Sequence, residues 1–236
     1  MIIFMWSGPR NLSTALMRSF ENRNDTIVID EPFYAYYLKK TRLDHPMKNE
    51  IINYYPTSQK EILKIITSNK QNKRIFYQKH MTHHIIKNTR LNWLNKGHNC
   101  FLIRHPAKVI NSYIKKNSLI NIDDIGFKKQ FEIFNKLKKN KINYIVINAD
   151  TILQKPSQTL KKLCKLLEIR FTKKMLDWPK GKRSSDGIWS KVWYKNVELS
   201  NTFSKYKKEK NYVPKKYYDI YEESLKYYNE MNQYSI

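Results

Sequence analysis

Five short apolar runs, rich in β-branched or aromatic residues, punctuate the first two-thirds of the chain. They occupy residues 2–6 (IIFMW), 26–29 (TIVI), 74–77 (RIFY), 100–103 (CFLI) and 144–147 (YIVI). Runs of this length and composition predict buried β-strands. Between most of them, apolar residues recur at three- and four-residue spacing. Ile62, Leu63, Ile65 and Ile66 do so in 60–68, Val109, Ile110, Tyr113 and Ile114 in 107–116, and Phe127, Phe131, Phe134 and Leu137 in 127–138. Two further helical patterns, 14–21 and 160–167, follow the first and fifth strands. Strands alternating with helices predict an α/β fold: a parallel central sheet of about five strands, helices on both faces, in three layers. From about residue 171 the alternation stops. The remainder, rich in Lys, Ser, Trp and Tyr, reads as a lid ending in a helix over 217–231. No internal repeat and no Gly/Ser- or Pro-rich linker interrupts the chain, so residues 1–236 read as one domain.

Composition changes this picture little. At 41% hydrophobic and 14% aromatic residues, the chain can build a core and is not disordered as a whole. The 45 Lys+Arg against 20 Asp+Glu give +25, a field that draws anions: nucleic acid, anionic lipid, nucleotides, or sulfated and phosphorylated compounds. Lysine is spread throughout beside abundant Asn, Ile and Tyr, so a compositional bias accounts for much of the charge, which alone names no partner. The lysine-rich runs 136–141 and 205–210 read as solvated faces. Cys100 and Cys164 sit in apolar contexts and read as buried free thiols of a reducing compartment. With no leader pattern and no apolar stretch near ~18 residues, a cytoplasmic location is the expectation.

Ligands of parallel sheets bind at the carboxyl ends of the strands, so the chemistry is sought there. After the first strand comes SGPRNLST, residues 7–14. Gly8 allows a tight turn, Pro9 presets φ, and Ser13 or Thr14 can cap the helix that follows. Free N–H groups at the helix start and the forked charge of Arg10 favour an anion, with Asn11 among them. The GxxxxGK[ST] pattern that pairs a lysine with a metal-binding hydroxyl is absent. An ordinary β–α turn with a surface arginine is the competing reading.

After the fourth strand, FLIRHPAKVINSY (residues 101–113) puts Arg104 at the strand exit and Ser112 about 9 Å along the helix from Pro106. Such a guanidinium and hydroxyl can reach one phosphate from two sides. After the second strand, Asp30 and Glu31 in IVIDEPFYAYYL face the same edge, where a carboxylate can take a proton from a substrate hydroxyl. Pairing with Arg10 or capping a helix is the alternative for Glu31. After the third, RIFYQKHMTHH carries Lys79, His80, His83 and His84. Three histidines without a matching Cys or carboxylate set do not predict a metal, and imidazole acid–base or guiding roles fit better. Late in the chain, GKRSSDGIWSKVWYKNV offers Gly181, Lys182 and Arg183 to close over a phosphate, with Trp189 and Trp193 packing the lid.

SGPRNLSTAL resembles the 5′-phosphosulfate loop of sulfotransferases that use 3′-phosphoadenosine 5′-phosphosulfate (PAPS). Arg104 and Ser112 are similar, at the same spacing, to that family's 3′-phosphate-binding arginine and serine. NADTILQKPSQTLKKLCKLLEI (148–169) is similar to its late strand-to-helix segment, so the resemblance spans roughly residues 1–200. It implies a P-loop-like fold and PAPS as co-substrate, with no metal. Arg10, Ser13, Thr14 and the helix start would hold the 5′-phosphosulfate, Arg104 and Ser112 the 3′-phosphate, and Lys182 or Arg183 would close over it. Glutamate bases of glycan-modifying members point to Glu31; the lysine–histidine pair of small-molecule members resembles Lys79 and His80, one residue closer together here. Lys79 and Arg10 would then stabilise charge on the bridging and leaving oxygens. The implied partner is a small-molecule or glycan acceptor bearing a hydroxyl or amine, bound by the connections at 34–55 and around Trp93. This chain departs from the family in carrying Arg10 where lysine is usual, Leu12 where glycine is common, and Ala15 and Leu16 where an adenine-stacking aromatic often stands. A P-loop-like phosphotransferase using a nucleoside triphosphate and Mg²⁺, and a non-enzymatic basic protein binding nucleic acid, are the rival readings.

Overall fold

The computed structural model describes residues 1–68, 72–208 and 212–236. Its strands are β1 (Ile2–Ser7), β2 (Thr26–Asp30), β3 (Ile75–Met81), β4 (His98–Ile103) and β5 (Tyr144–Asn148). They form one sheet in the order β2-β3-β1-β4-β5, every neighbouring pair parallel. The described helices are α1 (Ser13–Glu21), α2 (Tyr34–Thr41), α3 (Lys48–Tyr54), α4 (Gln59–Ile66), α5 (Pro106–Tyr113), α6 (Phe127–Lys139), α7 (Ala149–Gln154), α8 (Pro156–Leu166), α9 (Ser190–Trp193), α10 (Lys195–Glu198) and α11 (Tyr218–Asn232). The expected five-stranded parallel sheet is present; α2 and α3, which the periodicity did not flag, fill the connection after β2.

Alternation along each strand sends side chains to two cores. Ile3, Met5, Tyr77, Cys100 and Leu102 meet Leu16, Met17 and Phe20 of α1, Ile152 of α7, Leu160 and Leu163 of α8, and Trp189 of the lid. Phe4, Trp6, Phe76, Phe101 and Ile103 meet Val109 and Ile110 of α5, Ile133, Phe134 and Leu137 of α6, and Tyr228 and Met231 of α11. Every residue of β1 and β3 is buried, as central strands covered on both faces must be.

β3 is longer than the apolar run that announced it. It continues through Gln78, Lys79 and His80 to Met81, so Lys79 and His80 lie inside the strand and point to opposite cores. Both cysteines are buried free thiols. The lysines of 136–141 are exposed, as are Lys205, Lys207 and Lys208, while Glu209 and Lys210 lie outside the described residues. Among the described residues no helix is long and apolar enough to cross a membrane.

Candidate active site

The loop between β1 and α1 is shaped by backbone geometry. A Cβ on Gly8 would stand 2.4 Å from the Ile125 carbonyl oxygen, so only glycine lets the loop pass beneath that turn. Arg10 and Leu12 both adopt left-handed backbone, with φ of 62° and 70°, and curl the loop into the helix. The Asn11 side chain donates to the Leu102 carbonyl at 3.2 Å and ties the loop to β4. Neither Ser13 nor Thr14 caps α1, contrary to expectation: the N-cap is Leu12, which offers no side-chain acceptor. Both hydroxyl residues stand in the first turn instead, beside N–H groups that lack intrahelical acceptors and with no acidic residue to answer them.

The loop after β4 converges on the same place. Arg10 Nε donates to Ser112 Oγ at 2.8 Å, and Arg104 Nη1 donates to the Arg10 carbonyl at 3.0 Å. Arg104 Nε is buried without a hydrogen bond, 3.8 Å from Asp150 Oδ1. The other oxygen of Asp150 is held by Lys108 Nζ at 2.7 Å. Burial, reinforced by Arg104, pulls the Arg10 guanidinium below its ordinary value. The two arginines and the serine expected to serve an anionic nucleotide therefore share one rim.

On the β2–β3 side the charges are enclosed. Lys79 Nζ donates to Asp30 Oδ1 (2.9 Å), Glu31 Oε1 (2.5 Å) and Tyr194 Oη (2.6 Å). Tyr194, from the lid, donates in turn to Asp30 Oδ2 at 2.6 Å, an oxygen that also accepts the Gly187 N–H at 3.3 Å. Burial alone would lower the Lys79 pKa, and Asp30 and Glu31 more than reverse it. Glu31, in left-handed backbone (φ 42°), is pushed up to about 7 by burial, against the pull of Lys79 and with help from Asp30. Its second oxygen faces His84 Nδ1 at 3.9 Å. His84 is stacked on Tyr34 and Tyr37, and burial holds it neutral, well below the usual imidazole range.

Several expectations are corrected by this arrangement. An ammonium has three N–H bonds, and those of Lys79 go to Asp30, Glu31 and Tyr194; Lys79 positions Glu31 and has no donor left for a leaving oxygen. His80, on the opposite face of β3, lies among Trp6, Phe4, Phe33 and Trp93, with Nε2 3.0 Å from Gln78 Oε1 and its pKa lowered to about 3 by burial. It is a core residue. Arg183 is turned to the far end of α1: its Nη2 donates to the Pro179 carbonyl at 2.8 Å and its Nε lies 3.8 Å from Glu21. There it joins buried Arg18, which bridges Glu21 (3.1 Å) and Asp186 (2.6 Å) and pins the lid. Lys182 is exposed beside it. Trp189 is buried against Tyr34 and Tyr55. Nothing in the sequence singles out Tyr194, and Asp30 and His84 stand there only beside Glu31 and His80. A tyrosine in a lid carries no local signal of its own; the doubled carboxylate at the end of β2 is visible in the sequence, but its pairing with Lys79 is not.

A cavity of about 860 Å³ opens between α2 and α4, lined by Tyr36, Lys39, Lys40, Gln59, Lys60 and Arg90 among others. It borders the connection expected to bind an acceptor and does not include Arg10, Arg104 or Glu31.

A family described as sulfotransferase domain matches residues 1–235. Two curated relatives from Arabidopsis thaliana, branched-chain-amino-acid aminotransferase-like proteins 1 and 2, are 35% and 32% identical over 228 residues, 97% of this chain. The chain spans about two-fifths of their length, 41% in each case. Among solved structures, the sulfotransferase domain of the curacin biosynthetic pathway aligns over 100% of this chain and 91% of its own, with a TM-score of 0.56 at 16% identity. A sulfotransferase from Alicyclobacillus acidocaldarius aligns over 99% and 96%, with a TM-score of 0.58 at 10% identity. At such identities the two structures speak for the fold alone, a sheet wrapped as in those enzymes. Since the family match covers the sheet, the loops of Arg10 and Arg104 and the lid together, the chain belongs to the sulfotransferase domain family.

Proposed function

We propose that this domain transfers a sulfuryl group from PAPS to a hydroxyl or amine of an acceptor. The observation that carries this reading is the contact of Arg10 with Ser112, beside Arg104. Two guanidiniums brought together across β1 and β4 repel each other, a contact that an anion of high charge lying between them would relieve. A ribose 3′-phosphate fits that demand. The first turn of α1, with the Ser13 and Thr14 hydroxyls, suits the 5′ end.

The residues then divide the work. Glu31 takes the proton of the acceptor, held in place by Lys79. The freed lone pair attacks sulfur in line, the bond from sulfur to the bridging phosphate oxygen breaks, and adenosine 3′,5′-bisphosphate leaves with that electron pair. A Glu31 pKa raised toward neutrality is matched to this task.

A thermal-shift panel tests the nucleotide: adenosine 3′,5′-bisphosphate should stabilise the domain more than ATP with Mg²⁺, and the reverse order would favour a phosphotransferase. Glu31→Gln should lower transfer to a competent acceptor by roughly 10²–10⁴-fold while leaving bisphosphate affinity within a factor of two or so. Full turnover by Glu31→Gln would remove it as the base.

A further inference from the structure

We propose that Arg10 is a ligand of the ribose 3′-phosphate, shared with Arg104 and Ser112, and not of the 5′-phosphosulfate beside its own loop. The assignment rests on the nucleotide reading above and sharpens it.

Both ends of Arg10 are tied to the β4 side. Its carbonyl accepts from Arg104, and its Nε–H is donated to Ser112. Ser112 lies in the last turn of α5, six residues after Pro106 and so roughly 9 Å along the axis from the strand edge. Arg10 itself adopts left-handed backbone, and the hydrogen bond of its side chain is with α5, not with the start of α1. Because Ser112 Oγ accepts from Arg10, its own O–H remains to donate. Among the described residues the two Nη groups of Arg10 have no hydrogen-bond acceptor, and no carboxylate forms an ion pair with it; Asp150 lies behind Arg104 and is shared with Lys108. A guanidinium beside another, with four N–H bonds to offer, fits a dianion with three terminal oxygens. The 5′ end is left to backbone N–H groups and two hydroxyls, which are weaker holds than a forked cation. This chain would therefore recognise the nucleotide mainly by its 3′ charge.

Calorimetric titration of the intact domain with adenosine 3′,5′-bisphosphate and with adenosine 5′-monophosphate separates the cases. The wild type should prefer the bisphosphate. Arg10→Ala should weaken bisphosphate binding 10- to 100-fold and monophosphate binding less than threefold. Combining Arg10→Ala with Ser112→Ala should cost less than the product of the single losses, since the two groups act on one phosphate. Equal loss for both nucleotides would place Arg10 on the shared 5′-phosphate and overturn the assignment, as would independent single losses. Absence of any preference in the wild type would overturn the nucleotide reading itself, and the assignment with it. Unchanged far-ultraviolet circular dichroism of each variant checks that the fold survives, and Arg10→Lys, which keeps charge without the fork, should restore only part of the preference.

Discussion

Lys79 uses its three N–H bonds on Asp30, Glu31 and Tyr194 at the β2–β3 end of the sheet edge, while at the β1–β4 end Arg10 and Arg104 lie together with the neutral Ser112. Two strand spacings, roughly 10 Å, separate the ends. On the first side charge is neutralised within the protein and sealed from water. On the second it is half-open and only partly answered by Asp150. A group that must hold a precise geometry gains from internal partners; a group that must greet an anion is better left in deficit. Removing a cation should therefore cost folding on one side and binding on the other.

The largest effect expected is at Lys79. Lys79→Ala leaves two buried carboxylates without their cation, which should lower stability by about 3–5 kcal/mol in urea unfolding; a loss below 1 kcal/mol would mean that the ends do not differ. At the other end, Arg104→Ala should weaken adenosine 3′,5′-bisphosphate roughly 100-fold, about 2.7 kcal/mol, with the melting temperature of the free domain unchanged or raised by relief of repulsion with Arg10. A stability loss comparable to that of Lys79→Ala would erase the distinction.

A smaller effect belongs to His80, which serves neither end. Burial depresses its folded pKa to about 3 against about 6.5 unfolded. The stability it confers by staying neutral is complete above pH 6.5 and is lost as pH falls toward 3. His80→Leu should thus shrink the stability difference between pH 7 and pH 5 by about 2 kcal/mol, whatever it does at pH 7. An unaltered difference would show that the imidazole takes up its proton without unfolding.

The sheet could be read from the sequence because buried parallel strands appear as unbroken apolar runs, and IIFMW and CFLI are such runs. The strand order could not, since parallel crossovers leave no local trace of which neighbour each strand will find. β3 was clipped at Tyr77 because Gln78, Lys79 and His80 look like the polar end of a strand; burial of Lys79 between two carboxylates and of His80 among tryptophans is decided by tertiary partners. The placing of Arg104 and Ser112 on one rim was legible because a strand exit and one helix fix their spacing. Arg10 was legible as a candidate anion ligand, but its contact with Ser112 was not, and its own left-handed backbone is one that arginine seldom adopts. Glu31 stands out as a candidate through its strand-end position, whereas Tyr194 depends on how the lid folds back. Arg183 misled for the same reason: its basic, glycine-flanked setting suits a phosphate, yet Glu21 and Pro179 hold it at the wrong end of α1.

The missing side chain at Gly8 has a wider reach than its own turn. The Ile125 carbonyl that it clears belongs to the entry of α6, a segment with no share in either charged cluster. The loop between β1 and α1 is thereby mechanically geared to the opposite layer of the sandwich. A substitution that tilts α6 would shift that loop from a distance, and with it the proposed hold on the nucleotide, while leaving Arg10, Arg104 and Ser112 unchanged in identity.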